Sequence, residues 1–361
     1  MLPYLLYAGL LGLGAVLRLD AQARYGGRPT PAFLAMMILL ILFVGLRHNI
    51  GMDWNNYVNM MKTVSARDWW DAVNRTEPLY AILLLIGAET QLGIYLSNLI
   101  SAILCIAAIA VWARKTPEPW LAMVAAFPFF IMVFLMSANR QGLAASAIMI
   151  VFAYWYRLGT IGRVVGILIC ACFHFSALIF LAFVAIDLRA KAVYRAASAV
   201  LVALGSLYYL QVAESGAWYA STYGVEGGQA AQSQGALFHI ILNALPASLY
   251  FLRPAWRPIL FPAPILRYLA FAALITLPVG LVLSTAASRL NFYWTPMTMY
   301  VLASLPMVVA TQSRALVRLM ATLVVLAVAP VWLLTANSAF AYLPYQSLAS
   351  IEAWERETGL N

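Results

Sequence analysis

A chain of 361 residues that is 64% hydrophobic and only 10% charged is far too apolar for a water-soluble domain of this length, and apolar segments of membrane-spanning length recur along all of it. Short alternating strands of the kind an outer-membrane barrel needs are missing, so the expected fold is an all-α polytopic integral membrane protein. The formal charge of +9 sits on single Arg and Lys residues scattered through short loops. With no basic run, it speaks for membrane topology and anionic lipid headgroups and against nucleic acid as a partner.

In chain order, Leu2 to Leu17 reads as the first span. Ala21-Gln22-Ala23 has the look of a signal-cleavage site, but no Lys or Arg precedes the apolar run, so the helix reads as retained. Arg18, Arg24 and Arg28 follow in a short loop that they mark as cytoplasmic. Phe33 to Leu46 climbs to the stretch from Gly45 to Tyr57, where Arg47, His48, Asp53, Trp54 and Tyr57 crowd the mouth of an apolar helix. In the mixed loop from Asn55 to Asn74, Val58, Met61, Val64 and Trp69 give the pattern of a helix lying in the interface. Glu77-Pro78 opens the next element, with Pro suited to the first helical turn and Glu to its positive end. Leu79 to Trp112, interrupted by Glu89-Thr90-Gln91, reads equally as two spans or as one span plus a half-helix.

Trp120 to Met136 spans again and delivers the polar string Ser137-Ala138-Asn139-Arg140-Gln141. Leu143 to Tyr156 returns, closed by Arg157 and Arg163. Val164 to Ile186 holds His174-Phe175-Ser176 near its middle, where an imidazole is costly unless it faces a cavity or the protein interior. Ala196 to Leu210 is a further span. The loop from Glu214 to Gly235 has no Lys or Arg and is rich in Gly, Gln, Tyr and Ser; it suits contact with glycan hydroxyls and equally suits a plain non-cytoplasmic loop. Ala236 to Leu252, Ile265 to Leu283, Phe292 to Val309 and Leu316 to Leu334 complete the apolar set, with Arg289 alone between two of them. Cys105, Cys170 and Cys172 lie inside apolar segments and no disulfide is expected. Cys170, Cys172 and His174 mimic a metal spacing, yet positions two apart on a helix point about 200° apart, so they read as core groups.

Topology adds a functional argument. If every apolar segment spans, Lys and Arg divide almost evenly between the two faces. If Leu79 to Trp112 makes one net crossing and Val164 to Ile186 is re-entrant around His174, they concentrate on the cytoplasmic side, as the positive-inside rule prefers. That arrangement also gathers Arg47, Asp53, Glu77, Arg140 and Arg289 on the non-cytoplasmic face, with His174 at a tip able to point there. A half-helix is tolerated only against protein or a wet cavity, which a site provides.

Four motifs then fall in order: R-x-x-x-G-x-D-x-x-x-Y at Arg47, Gly51, Asp53 and Tyr57; E-P at Glu77-Pro78; N-R-Q-x-x-A from Asn139 to Ala144; and H-F-S-A-L from His174 to Leu178. Arg289 with Tyr293, and Leu343-Pro344-Tyr345, follow more loosely. In this order and spacing the chain resembles the EpsG/Wzy family of polysaccharide (O-antigen or exopolysaccharide) polymerases. The resemblance implies a GT-C-like glycosyltransferase architecture of about 10–12 transmembrane or re-entrant helices, a single transmembrane domain over residues 1–361 with periplasmic loops at 47–77 and 213–235. It implies a bacterial inner-membrane enzyme that moves a growing chain from its polyprenyl diphosphate to a hydroxyl of the next lipid-linked unit at the periplasmic face. Lipid-linked glycans as donor and acceptor, membrane lipids and a chain-length regulator protein are its implied partners, and no cofactor is implied.

The residues suit that chemistry. A diphosphate leaving group calls for guanidinium forks, which Arg47, Arg140 and Arg289 offer. Orienting or deprotonating an acceptor hydroxyl calls for a carboxylate or imidazole, which Asp53, Glu77 and His174 offer. Trp54, Tyr57, Tyr293 and Tyr345 are candidate sugar contacts. No D-x-D metal motif is present, so metal independence is expected. Blander readings stand beside these: Asp53 as the neutralising partner of Arg47, Glu77 as a helix-start residue, His174 as a satisfied core histidine, and Trp54, Tyr57 and Tyr293 as interface anchors. An O-antigen ligase or a polyprenyl-phosphate-sugar-dependent transferase would use the same chemistry. A flippase or transporter would show two related halves, and no internal repeat is seen.

Overall fold

The computed structural model describes residues 1–19, 28–90, 92–188, 190–212 and 235–352; of the loop expected at 213–235, all but Gly235 lies outside the described residues. Those residues form helices and no strand, with an isolated antiparallel bridge between Arg47 and Ser347. Gly93–Ala113, Pro119–Ser137, Pro264–Val282 and Thr311–Thr335 are long and apolar enough to cross a membrane, and Ala236–Leu252 with Pro254–Leu260 makes a further pair bent by 100°. Shorter apolar helices pack among them, including Leu2–Val16, Pro31–Gly45, Pro78–Ala88 and Thr160–Ala171. The protein is therefore the all-α polytopic membrane protein that its composition implies.

Prolines set several helix starts. Pro31, Pro78, Pro119 and Pro264 stand in first turns, where their missing N–H has no intrahelical partner to lose. The axis of the molecule is Pro119–Ser137, whose apolar window is 78% buried in protein, against 28% for Thr311–Thr335. The first is apolar because protein surrounds it; the second because its outer face meets lipid. Within the central helix, Phe127–Phe134 winds as a π-helix. Pro128 has no N–H to give an α-ladder there, and such wide turns commonly sit beside functional sites. This segment carries Met136 and Ser137 to the end of the molecule where the loop from Arg47 to Asp53 folds over them.

Two broken elements position the site. Pro78–Ala88 has 11 residues, about 16 Å at 1.5 Å per residue, too short to cross a bilayer. The chain turns at Glu89 and runs back along it as Gly93–Ala113: Ser97 Oγ donates to Leu83 O at 2.8 Å, and a Cβ on Gly87 would stand 2.2 Å from Ser97 Oγ, so only glycine permits the approach. Leu79 to Trp112 is thus a half-helix plus a span. The second broken element runs from Thr160–Ala171 through the 3-10 turns of Phe175–Phe180 to Leu181–Ile186. Arg163 at its start and Asp187 at its end form an ion pair at 3.0 Å, and Trp155 Nε1 donates to the same carboxylate at 2.6 Å. The two ends of the element therefore meet, and the chain between them doubles back as a hairpin with His174 near its tip. The two broken elements meet there, Leu79 N donating to Cys172 O at 3.0 Å.

Candidate active site

The stretch from Arg47 to Tyr57 is held by its backbone. Gly51 adopts φ +100°, and a Cβ on it would lie 2.1 Å from Met136 O, so the glycine of the first motif lets the loop settle on the end of the central helix. Arg47 is 1% exposed. Its Nε donates to Met136 O at 3.1 Å, Nη1 to Val44 O at 2.7 Å and Nη2 to Asn98 Oδ1 at 3.3 Å. Two of these acceptors are carbonyls at helix C-termini, which have no intrahelical donor and carry negative partial charge. Arg47 therefore caps two helices from inside the protein. Asp53 makes different contacts: it accepts from Ser137 Oγ at 3.3 Å and Asn56 Nδ2 at 3.4 Å. The pairing of Asp53 with Arg47 considered from sequence does not form, because the guanidinium is turned inward onto main-chain oxygen.

Glu77 and Arg140 come together from positions 63 apart in the chain. Arg140 Nη1 lies 2.8 Å from Glu77 Oε2 and 3.1 Å from Thr76 Oγ1, and Thr76 Oγ1 itself donates to Glu77 at 2.8 Å. Burial pushes the Glu77 carboxyl up, but the Arg140 guanidinium, with His174 and Thr76 beyond it, outweighs burial and holds the group below its ordinary range. Next to this pair, His174 Nδ1 accepts from Ser176 N at 3.2 Å and meets Ser176 Oγ at 2.7 Å, and Ser176 Oγ meets Tyr293 OH at 2.7 Å.

Arg289 stands in the last turn of Ser284–Asn291, whose backbone is tied to the third motif by Gln141 Nε2 donating to Arg289 O at 3.2 Å. Its side chain lines a cavity of about 730 Å³ together with Asp53, Ser137, His239 and Ser288. Most of the remaining wall is apolar, with Phe129, Val133 and Phe238 among it. Of the aromatic candidates, Trp54 borders a neighbouring cavity but is 6% exposed, its ring edge-on to His48 at 5.5 Å between centroids. The others are tied into the protein: Tyr57 OH accepts from Arg140 N at 3.4 Å, Tyr293 is 0% exposed, and Tyr345 OH donates to Phe43 O at 2.7 Å.

A family model described as the EpsG family matches residues 32–347. The chain belongs to the EpsG family. None of the curated proteins and none of the solved structures compared with it matches. EpsG-family membership supports a polysaccharide-polymerase role, and the matched span runs from the helix that leads to Arg47 through Tyr345 and on to Ser347. The helix Leu2–Val16 lies outside the match yet joins the same core, Tyr4 OH donating to Tyr342 O at 2.7 Å.

Sequence reasoning missed His239 and Ser288 in this EpsG-family chain. His239 Nε2 lies 2.6 Å from Ser288 Oγ, and its ring stacks on Phe292 at 5.2 Å between centroids, so a His–Ser pair sits on the cavity wall next to Arg289. The available signal was a histidine inside the apolar run from Ala236, a costly placement that asks for a partner. Among the described residues, no group of three or more His, Cys, Asp or Glu side chains converges to hold a metal ion, and Cys105, Cys170 and Cys172 are free thiols.

Proposed function

We propose that this protein is a bacterial inner-membrane glycosyltransferase that polymerises polyprenyl-diphosphate-linked repeat units at the periplasmic face. In the reaction the bond between the anomeric carbon of the growing chain and its lipid diphosphate breaks. A bond from that carbon to an acceptor hydroxyl oxygen forms, the diphosphate departs with the bonding electrons, and the hydroxyl proton passes to a base. One observation carries the assignment: Asp53 and Arg289, a carboxylate and a guanidinium, line a single cavity of about 730 Å³. Arg289 serves as the diphosphate fork, with Arg140 beside the two meeting tips as a second. Asp53 orients the acceptor hydroxyl and takes its proton. Glu77, ionised against Arg140, holds that guanidinium in place, and His174, fixed through Ser176 to Tyr293, supports the same tip. Arg47 secures the loop that presents Asp53. Guanidinium groups stand where other transferases use a metal ion.

Two further features support this reading. Phe238 and Val331 line the cavity and are themselves exposed, which suits a lateral entrance for substrates whose polyprenyl tails stay in the bilayer. The end of the molecule away from the site carries a belt of cations over aromatic rings: Lys115 over Tyr154, Arg163 over Trp155, Arg253 over Trp256 and Arg257 over Tyr250. Along Gly93–Ala113, Asn98 meets the site residues while Lys115 follows the far end, about 25 Å away. A basic aromatic belt suits the cytoplasmic interface and leaves the cavity facing the periplasm.

The glycan phenotype of a deletion strain tests the assignment. Loss of long chains with one repeat unit still transferred to its final acceptor is the expected result; long chains stranded on the polyprenyl carrier indicate a ligase instead. Cysteine accessibility tests the sidedness, with labelling from the periplasm near Asp53 and Arg140 and protection near Lys115 and Lys191.

A further inference from the structure

Beside the cavity that holds Asp53 and Arg289 lies a second one of about 320 Å³, lined by Asn49, Trp54, Asn55, Pro344 and Gln346 among others. Met52 and Phe340 line both cavities. The two side chains are 53% and 72% exposed, so they form an open apolar saddle between two polar hollows. Both volumes fall within the roughly 300–1,000 Å³ of ordinary ligand sites.

The lining of the second cavity differs in kind from that of the first. Asn49, Asn55 and Gln346 bring three carboxamides, each a donor and an acceptor, and no charged side chain contributes. Their amides make no hydrogen bond to other described residues. Such a wall matches neutral hydroxyl groups, and without a guanidinium or ammonium it offers a diphosphate nothing. The cavity is also built in advance. His48 N donates to Gln346 O at 3.0 Å, Gly51 N to Ala341 O at 2.8 Å and Leu348 N to Leu46 O at 2.8 Å. These backbone bonds lace the loop 46–51 to the segment 341–348, and Asn49 holds φ +48° within the lacing. A floor fixed by main-chain bonds loses little freedom when a flexible ligand settles on it.

We propose that this second cavity is a glycan subsite, holding neutral sugars of the growing chain set back from the bond being made. The inference rests on the polymerase reading. With the diphosphate on Arg289, the chain leaves the large cavity over the Met52–Phe340 saddle, where apolar side chains meet the C–H faces of a sugar, and its next residues reach the three amides. The subsite keeps the product bound between transfers, so it governs chain length more than the rate of any one transfer.

The test uses the full-length protein in a strain lacking its own copy, and purified in lipid nanodiscs. Asn55→Ala combined with Gln346→Ala removes exposed or half-exposed groups that line the second cavity alone and leaves membrane abundance at the wild-type level. In cells, the double variant shortens the polymer to a few repeats while the share of units receiving a first linkage stays within about two-fold. In nanodiscs, lipid-free oligosaccharide of several repeats, released by mild acid from cells carrying the wild-type protein, binds the double variant at least about ten-fold more weakly than wild type, whereas Asn55→Gln, which keeps an amide, binds within about three-fold. Wild-type chain lengths and wild-type oligosaccharide binding by the double variant at normal abundance would overturn the subsite. Failure of the polymerase reading looks different: a strain without the protein would still make long chains.

Discussion

The arginine–carboxylate pairs Arg318–Glu118 and Arg140–Glu77 stand at opposite ends of this protein, and their geometries differ. At the end away from the cavity, Arg318 closes its fork on Glu118, Nε to Oε2 at 2.6 Å and Nη2 to Oε1 at 2.5 Å, with both side chains at 6–7% exposure. At the site, Arg140 meets Glu77 through Nη1 at 2.8 Å and keeps 18% of its side chain exposed against 4% for Glu77. A bidentate pair shut inside protein has satisfied its charges and pins two helices, here Pro119–Ser137 at its start to Arg314–Thr335. The Arg140–Glu77 pair fixes the orientation of a guanidinium whose side chain keeps 18% exposure. The first arrangement suits a clamp, and the second suits a charge held ready for a ligand.

The largest expected effect comes from breaking the clamp. Arg318→Ala leaves Glu118 as an uncompensated buried charge, which costs about 3–5 kcal/mol, and the protein should disappear from the membrane fraction on a quantitative blot. Arg318→Met with Glu118→Leu removes both charges and should restore much of the abundance. If the double variant made chains of normal length, the far end would be confirmed as scaffold; full abundance of Arg318→Ala alone would undo the distinction between the pairs.

The site end should respond in the opposite way, with activity lost and abundance kept. Asp53→Asn keeps the shape of the loop and removes the proton acceptor, so elongation should fall by about 10²–10⁴ with the protein still in the membrane. Lower abundance instead would assign Asp53 to the scaffold. Arg289→Lys and Arg140→Lys keep charge and lose the planar fork. Each should slow polymerisation by up to about 10²–10³, the typical effect of removing a donor that stabilises developing charge, as read from chain formation by purified protein. Wild-type chain lengths from these variants at normal abundance would mean that the site lies elsewhere in the fold.

What the sequence could disclose follows from the physics of each feature. The four long helices Gly93–Ala113, Pro119–Ser137, Pro264–Val282 and Thr311–Thr335 were legible because a bilayer demands long apolar runs, whereas Leu2–Val16 and Pro31–Gly45, also expected to span, are shorter; the doubling back of the chain around His174 agrees with the charge distribution, and Arg163 and Asp187 join its two ends. The partners of Arg47 were not legible, since two of them are backbone carbonyls, which every residue carries. Glu77 and Arg140 each stood out as polar groups at helix ends, but their pairing depends on two broken elements meeting at Leu79 and Cys172, and no local pattern encodes that. His239 lacked any motif around it. The second cavity needs the segment near Gln346 to fold back onto the loop near Asn49, a contact between opposite ends of the chain that periodicity does not address.

The smallest expected effect decides on which side of the comparison the His174 network falls. Tyr293→Phe removes the hydroxyl that meets Ser176 Oγ at 2.7 Å and keeps a ring that is 0% exposed and packed edge-on against Phe180 at 5.1 Å between centroids. Ser176 Oγ still has His174 Nδ1 at 2.7 Å, so no buried hydroxyl is stranded, and the stability loss should be about 0.5–1.5 kcal/mol, the net worth of one hydrogen bond. If the network supports the tip without taking part in proton transfer, the rate of chain formation should stay within about ten-fold of wild type and its pH profile should keep its shape. A loss of about 100-fold with unchanged thermal stability would place Tyr293 and His174 in the chemistry, and the site end of the molecule would then hold a proton relay behind Arg140 in addition to a positioned charge.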